Sequence, residues 1–179
     1  VYVQIIFLST IWMGIIGFLD DYLKIIKKLE KGLIARYKLT GQILLGSAIS
    51  FWIYTSPEFS EIRTITSIPF LKNSIINFGI FYPFIIILVI TGTSNAVNLT
   101  DGLDGLASGL LAIAFTVFAA ITYISGRVDF SSYLNILYLP GIGELSIFAS
   151  AMAGACLGFL WFNSAPAQIF MGDVGSLST

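Results

Sequence analysis

Five carboxylates are the residues of this sequence best placed to do chemistry. Asp20 and Asp21 are adjacent, and Asp101 and Asp104 are three residues apart. Asp173 lies between Gly172 and Gly175. Each group lies at an end of a long uncharged stretch. Carboxylate oxygens are hard ligands of the kind that Mg²⁺ prefers, and lysines beside them suit phosphates. The pattern indicates Mg²⁺-assisted chemistry on a phosphorylated substrate, in which the metal neutralises phosphate charge and aligns the attacking and leaving oxygens.

The first and third groups also have a plainly structural interpretation. Asp20 and Asp21 could be solvated residues that end a helix, although the helix dipole disfavours an anion there. If the helix continues, Lys24 can pair with either of them. Asp173 could cap a helix after a turn. Three such groups on one face of a membrane protein are harder to explain by capping, because charged groups next to a bilayer are costly and mark function.

The middle group has the stronger structural alternative. Thr100 or Asp101 can cap the helix that follows, with Asp104 in its first turn. Capping alone does not explain the neighbouring asparagines or the two glycines. Gly102 and Gly105 would let the backbone approach a ligand closely or take a left-handed turn.

The composition places these residues in a membrane protein. Of the 179 residues, 56% are hydrophobic and only 11% are charged, whereas soluble domains carry about 25% charged residues. The net charge of −1 argues against a nucleic-acid binder, since such domains are basic. One cysteine and no histidine exclude an intrachain disulfide, a Cys-rich metal site and histidine-based catalysis for this stretch.

Uncharged stretches long enough to cross a bilayer predict five transmembrane helices. They are residues 1–19, 39–57, 73–100, 105–126 and 145–172, the third and fifth with apolar cores nearer 79–95 and 145–162. Residues 130–143 are polar enough to predict a loop or a surface-lying segment. Gly154 and Gly158 have the spacing that favours close helix packing. The fold class we expect is therefore all-α, a polytopic integral membrane protein.

The basic residues set the orientation. Six of the nine fall in loop 20–38, and the loops 58–72 and 127–144 hold only Arg63, Lys72 and Arg127. The positive-inside rule then makes loop 20–38 cytoplasmic. Counting spans puts loops 96–105 and 164–176 on the same side. We expect one membrane domain, 1–179, whose active-site face is formed by these three loops.

Three motifs resemble those of the phospho-N-acetylmuramoyl-pentapeptide transferases (MraY, translocase I). They are GFLDDYLK at 17–24 with KGLIARYK at 31–38, TSNAVNLTDGLDGL at 93–106, and FLWFN at 159–163 with PAQIFMGDVGS at 166–176. Their order and intervening spans also fit, so the resemblance covers essentially the whole chain. The family belongs to the polyprenyl-phosphate N-acetylhexosamine-1-phosphate transferase superfamily, whose other branches usually have Gly-Asp-Ala-Gly-Ser in the third motif.

The resemblance implies an activity and its partners. Such an enzyme transfers phospho-MurNAc-pentapeptide from UDP-MurNAc-pentapeptide to undecaprenyl phosphate, with Mg²⁺, giving lipid I and UMP for peptidoglycan synthesis. It implies a homodimer of ten-helix subunits in the bacterial inner membrane, with the active site facing the cytoplasm. Five of those ten spans are present, without the family's later His-rich loop. We therefore expect this stretch to be an interior fragment that is inactive alone.

The resemblance also implies roles for individual residues. Asp173 would be the Mg²⁺ ligand, and Asp20 would deprotonate or orient the lipid phosphate. A second set would complete the catalytic cleft: Asp21, Asn98, Asp101 and Asn163. Lys24 would contact phosphate, and the uridine pocket would be formed by Gly102, Leu103, Asp104 and Phe170.

Other functions remain possible from the sequence. A transferase acting on UDP-GlcNAc would share the fold and the chemistry. An ion-coupled transporter would also use membrane carboxylates, but near the bilayer midplane and often on broken helices. A noncatalytic membrane scaffold would not need all three motifs.

Overall fold

A computed structural model describes residues 1–29, 32–67 and 75–179 of the chain. Lys31 of the first motif, Lys72 of the second predicted loop, and the first two residues of the predicted span 73–100 lie outside the described residues. The chain divides into two compact units. Unit 1 comprises Val1–Phe7 and Asn98–Met171, and unit 2 comprises Leu8–Val97 and Gly172–Thr179.

Helices dominate the described part of the chain. The α-helices are α1 (Tyr2–Ile25), α2 (Ala35–Thr55), α3 (Tyr82–Thr100), α4 (Leu106–Ser125), α5 (Val128–Leu134), α6 (Leu145–Asn163) and α7 (Asp173–Ser178). Single 3₁₀ turns precede α3 and α6 and follow α2, at Gly79–Phe81, Ile142–Glu144 and Pro57–Phe59. The all-α prediction is confirmed.

Among the described residues, four helical segments are long and apolar enough to cross a membrane. These are Tyr2–Ile25, Gly79–Thr100, Leu106–Ser125 and Ile142–Asn163. The second predicted span, 39–57, is helical as α2 but is not among these four segments. Its first turns carry Arg36, Lys38 and Gln42, and these polar side chains lower its apolar character. The four segments confirm the prediction of a polytopic membrane protein.

One small element was not predicted. Residues Ile65–Ser67 (β1) and Ile75–Asn77 (β2) form an antiparallel pair in which Ile65 lies opposite Asn77. The strands are three residues each, too short to give a clear alternating pattern. β-Branched residues such as isoleucine and threonine favour this local pairing. Within the segment 130–143, for which we predict a loop or a surface-lying segment, the residues up to Leu134 belong to the short helix α5.

In unit 1, α4 packs against α6 through small side chains. Ala107 and Ala112 of α4 and Ala149 and Ala153 of α6 are buried, and small residues allow helix backbones to approach closely in membranes. The predicted packing role of the Gly154/Gly158 pair is wrong within this chain. An added Cβ at either glycine would meet no atom of the described residues within 4 Å, because α6 turns its alanine face toward α4.

In unit 2, α7 lies directly against α1. A Cβ added at Gly17 of α1 would be 2.6 Å from the carbonyl carbon of Asp173 and 2.7 Å from Val174 Cα. Real Cβ atoms do not come so close to backbone, so only glycine at position 17 permits this contact. A cross-helix hydrogen bond of 3.0 Å from Trp12 Nε1 to the Gly41 carbonyl joins α1 to α2. These contacts determine where the functional side chains of unit 2 lie.

Candidate active site

Unit 2 brings three carboxylates from distant parts of the sequence together. Asp20, Asp21 and Asp173 each offer an oxygen, and these oxygens lie within 4.8 Å of one another. We refer to these three residues as the carboxylate cluster. Asp20 and Asp21 come from the last turns of α1, and Asp173 is the first residue of α7. The close contact at Gly17 places the start of α7 beside the acidic pair.

Two lysines interleave with the carboxylate cluster. Lys24 Nζ pairs with Asp20 Oδ2 and lies 3.3 Å from Asp173 Oδ2. Lys38 Nζ lies 3.0 Å from Asp20 Oδ1 and 2.5 Å from Asp173 Oδ2. Each lysine thus contacts both carboxylates.

Asp20 is the most enclosed member of the cluster. Its side chain has 0% exposure, whereas that of Asp173 has 16%. Besides the two lysines, Asp20 Oδ1 accepts a 2.7 Å hydrogen bond from the Leu33 backbone N–H. The neighbouring Gly32 has a φ of +56°, and a Cβ there would lie 2.8 Å from Asp20 Oδ1. The glycine of the first motif therefore lets the backbone close over this carboxylate.

Asp21 holds the N-terminus of α7. Its two oxygens accept hydrogen bonds of 3.2 Å from the Asp173 N–H and 3.0 Å from the Val174 N–H. These are N–H groups that a helix start leaves without an intrahelical partner, and an anion is favourable at that end of the dipole. A Cβ at Gly172 would come within 2.6 Å of Asp21 Oδ2. The third motif thus has a glycine, Gly172, at the position where the Asp21 carboxylate comes close to the backbone.

The structural alternatives for these groups fail. The helix α1 does not end at the acidic pair but continues to Ile25. Lys24 is therefore in the same helix, one turn after Asp20, and can pair with it. Asp173 does not cap α7, since Gly172 holds that position without a side-chain hydrogen bond. Its carboxylate instead faces Lys24 and Lys38.

Unit 1 holds the middle motif from Asn98 onward and most of the third one. The helix α3 ends at Thr100, and the turn 101–105 leads into α4. The N-cap of α4 is Gly105, with a left-handed φ of +74° and no side-chain cap. The proposed capping of α4 by Thr100 or Asp101 is therefore wrong. The left-handed turn expected of the glycines occurs at Gly105.

Two side chains join the turn 101–105 to the segment that follows α6. Asp104 Oδ2 accepts a 3.1 Å hydrogen bond from the Ala167 N–H. Asn163 Oδ1 accepts from the Gly105 N–H at 3.1 Å and from Ser108 Oγ at 2.9 Å. Asn163 Nδ2 donates to the Ile169 carbonyl at 2.9 Å. Asp104 and Asn163 thus hold the two segments together.

The remaining predicted residues of unit 1 differ in exposure. Phe170 is 74% exposed and Leu103 is 70% exposed, so their apolar surfaces are open to a ligand. Gly102 is exposed as well, while Asn98 and Asp101 are half-buried. The expectation that the acidic groups of both units form one face stays a prediction.

Sequence reasoning missed Lys38 as a site residue. It was counted only as one of the basic residues of loop 20–38, yet it contacts both Asp20 and Asp173. One signal was available, because Lys38 is the last charge before the uncharged stretch 39–57. The acidic residues were singled out because they also lie at the ends of uncharged stretches.

The carboxylate cluster fits a divalent cation in its chemistry. Three carboxylates supply hard oxygen ligands within a small space, which is the donor set that Mg²⁺ takes up. The nearby ammonium groups suit the oxygens of a phosphate. Together they form a site that could hold a metal ion and a phosphorylated ligand at the ends of apolar helices.

Fold and site thus define an all-α polytopic membrane protein with a carboxylate–lysine centre. A family model described as glycosyl transferase family 4 matches residues 3–179, and the chain belongs to this family. It is 56% identical over 177 residues to the phospho-N-acetylmuramoyl-pentapeptide-transferase of Thermodesulfovibrio yellowstonii, covering 99% of this chain and 49% of that relative. It is 51% identical to the same-named protein of Chlorobium chlorochromatii, covering 99% of this chain and 48% of the relative.

These similarities confirm the resemblance drawn from the motifs. A third relative, from Chlorobium limicola, carries the same name and is 50% identical over 177 residues, covering 99% of this chain and 48% of its own length. The chain spans about half the length of the curated relatives it matches.

Proposed function

We propose that the intact protein transfers phospho-MurNAc-pentapeptide from UDP-MurNAc-pentapeptide to undecaprenyl phosphate, releasing UMP and forming lipid I. The observation that carries the proposal is the carboxylate cluster with Lys24 and Lys38 at the ends of membrane helices. The shared name of relatives 56% and 51% identical to this chain supports it. In this reaction, a lipid phosphate oxygen bonds to the sugar-bearing phosphorus as that phosphorus loses the UMP oxygen.

Mg²⁺ would be held by Asp173, beside Asp20 and Asp21. When bound, it would supply neutralisation of phosphate charge, as magnesium does in phosphoryl transfer generally. Asp21 would act by holding the backbone of Asp173 and Val174 in place. Supporting groups of this kind are as much a part of a metal site as its direct ligands.

The lysines would bind the phosphates of the UDP-linked donor and of the lipid acceptor. Lys24 and Lys38 each span Asp20 and Asp173, so both ammonium groups are fixed in place before substrate arrives. Fixed charges aimed at developing negative charge are among the largest contributions to catalysis.

Asp20 would orient the site rather than take a proton. Its carboxylate is fully buried and held by two lysines and the Leu33 N–H, which leaves it no open side for a substrate hydroxyl. A lipid phosphate is already largely ionised near neutral pH, so little base catalysis is needed. We therefore propose that Asp20 positions Lys24 and Lys38 against the lipid phosphate.

The residues of unit 1 would bind the nucleotide. The exposed ring of Phe170 could stack on uracil, beside Gly102, Leu103 and Asp104. Asn98 and Asp101, which are half-buried, would complete the cleft. Asn163 would contribute by holding the turn 101–105 to the segment after α6.

We further propose that the protein works in the bacterial inner membrane, as a homodimer, with this site facing the cytoplasm. Support for the orientation comes from the basic residues, six of nine of which lie in residues 20–38, as the positive-inside rule requires of a cytoplasmic loop. The dimer rests on the family resemblance. A crosslink between single cysteines of two tagged copies in membranes would test it.

The substrate is tested by measuring UMP release from the intact protein in detergent with undecaprenyl phosphate and Mg²⁺. UDP-MurNAc-pentapeptide and UDP-GlcNAc are supplied in separate reactions. Release with the first alone is the expected result. Release with UDP-GlcNAc alone would move the protein to the sister branch, and release with neither would favour a noncatalytic membrane scaffold.

A further inference from the structure

Ser108 is a fully buried hydroxyl that no motif singled out. It lies in the first turn of α4 with 0% exposure. Its Oγ lies 2.9 Å from Asn163 Oδ1 and farther, at 3.4 Å, from the Gly105 carbonyl oxygen. Asn163 is itself only 4% exposed. Two polar side chains from different helices are therefore buried against each other.

The partners of Asn163 determine which way its amide points. The Gly105 N–H can only donate, and the Ile169 carbonyl can only accept. The oxygen must then face Gly105 and the Nδ2 must face Ile169, as the distances of 3.1 Å and 2.9 Å show. Since Oδ1 cannot donate, Ser108 must donate its hydroxyl proton to it. The interaction is directional and has no alternative arrangement.

Through Asn163, this hydroxyl acts on two backbone segments at once. One is the turn 101–105, whose last residue has the left-handed backbone of Gly105. The other is the segment after α6, where Ile169 immediately precedes Phe170. The bond between Asp104 and the Ala167 N–H joins the same two segments. Residues on both segments are those assigned above to the nucleotide.

We infer that Ser108 is a positioning residue for nucleotide binding, acting through Asn163 on the backbone that carries Leu103, Asp104 and Phe170. The inference rests on the proposed function for the identity of the ligand. Ser108 is buried and touches no substrate, so it affects affinity for the uridine nucleotide and leaves the chemical step at the carboxylate cluster unchanged.

The test compares hydroxyl-deleting variants of one helix in the intact protein. Ser108→Ala removes the donor, and Thr116→Val removes a part-buried hydroxyl of α4 that bonds only to its own helix, at the Ala112 carbonyl. The probes are UMP in a calorimetric binding measurement and UDP-MurNAc-pentapeptide in the UMP-release assay. We expect Ser108→Ala to raise the Kd of UMP and the KM about three- to tenfold, the effect of one lost hydrogen bond, with kcat within about twofold. Thr116→Val should match the wild type.

Two further variants keep the test sharp. Ser108→Cys keeps a donor at the same position, in a slightly larger side chain whose S–H is a weaker donor than the hydroxyl. Its Kd should therefore fall between those of the wild type and Ser108→Ala, even if the alanine variant folds poorly. In an Asn163→Ala background, Ser108→Ala should have no additional effect on UMP binding, because its partner is gone.

The outcomes separate this inference from the function on which it rests. An active wild type whose Ser108→Ala variant keeps the wild-type Kd, or loses kcat with KM unchanged, would overturn the inference alone. A fully additive double variant would also overturn it. A wild type that neither binds UMP nor releases it would overturn the proposed function, and the inference with it.

Discussion

Lys38 Nζ lies 2.5 Å from Asp173 Oδ2, although 135 residues separate the two in sequence. The contact joins α2 to the first residue of α7 and is shared with Asp20. It makes Lys38 part of the charged centre and not one more basic residue of a cytoplasmic loop. The proposed chemistry requires this ammonium group to remain in place when phosphate binds.

Replacing Lys38 with methionine should reduce kcat for UMP release by about 100-fold or more, in the range expected for a fixed charge that stabilises a transition state. Lys38→Arg should retain part of the activity because it keeps the charge but not the geometry. Lys27→Met is the matched control, since Lys27 is exposed. Equal rates for the Lys38 and Lys27 variants would remove Lys38 from the mechanism.

Asp21→Asn should weaken the apparent affinity for Mg²⁺ roughly 10- to 100-fold, as changes in groups that orient a metal ligand do. The amide loses the charge that attracts the N–H groups of Asp173 and Val174, so Asp173 is held less firmly. The measurement is the rate of UMP release as Mg²⁺ is titrated. The control is Asp129→Asn, at a carboxylate that is 87% exposed. An unchanged Mg²⁺ dependence in Asp21→Asn would contradict this role.

Gly17→Ala should damage the site through sterics alone. The new methyl group would collide with the backbone of Asp173 and Val174, and overpacking of this kind costs about 1–3 kcal/mol. We expect a lower Tm in detergent and a loss of activity beyond tenfold. Gly14→Ala is a close control on the same helix, because its Cβ would lie at an ordinary 3.7 Å from Ser178 Cβ. If the two alanine variants behave alike, α7 does not depend on glycine at position 17.

Much of this arrangement follows from the sequence, for a physical reason. Apolar stretches such as 1–19 and 105–126 are strong signals, and they became α1 and α4 with ends displaced by a few residues. The positive-inside rule and a count of spans predicted only that Asp20 and Asp173 lie on the same side of the membrane, and their contact through Lys24 and Lys38 is seen only in the structure. The polar start of α2, with Arg36 and Lys38, shows where that signal weakens.

What the sequence could not supply depends on contacts between distant residues. Nothing in the local pattern marks Gly17 as the point where α7 meets α1, because a glycine in an apolar helix has several uses. The bond between Ser108 and Asn163 likewise joins two helices whose facing sides the sequence does not specify. The short β1–β2 pair is stabilised by cross-strand contacts rather than by a recognisable run of residues.

Gln42 gives a prediction about stability rather than catalysis. It is fully buried in α2, where its Oε1 accepts a 2.9 Å hydrogen bond from Asn95 Nδ2 and its Nε2 lies 3.3 Å from Ser94 Oγ. Gln42→Leu should destabilise the protein by about 0.6 kcal/mol, the mean measured for interhelical hydrogen bonds in membranes, and by no more than about 1.7 kcal/mol, the largest value measured.

The measurement for Gln42→Leu is thermal unfolding in detergent. Ser47→Ala, which removes an exposed hydroxyl bonded only to the Ile43 carbonyl of its own helix, serves as the control. A Gln42→Leu variant as stable as the wild type would show that this buried network contributes no net stability.

The most direct test of the central claim is UMP release by the intact Asp173→Asn variant, assayed with UDP-MurNAc-pentapeptide, undecaprenyl phosphate and Mg²⁺. This substitution keeps the shape of the side chain while removing the charge that faces Lys24, Lys38 and the proposed metal. We predict a fall in kcat of about 1,000-fold or more, together with an equally complete loss in the wild type when EDTA removes the metal. Release at the wild-type rate by Asp173→Asn would contradict the assignment of the carboxylate cluster as the catalytic centre.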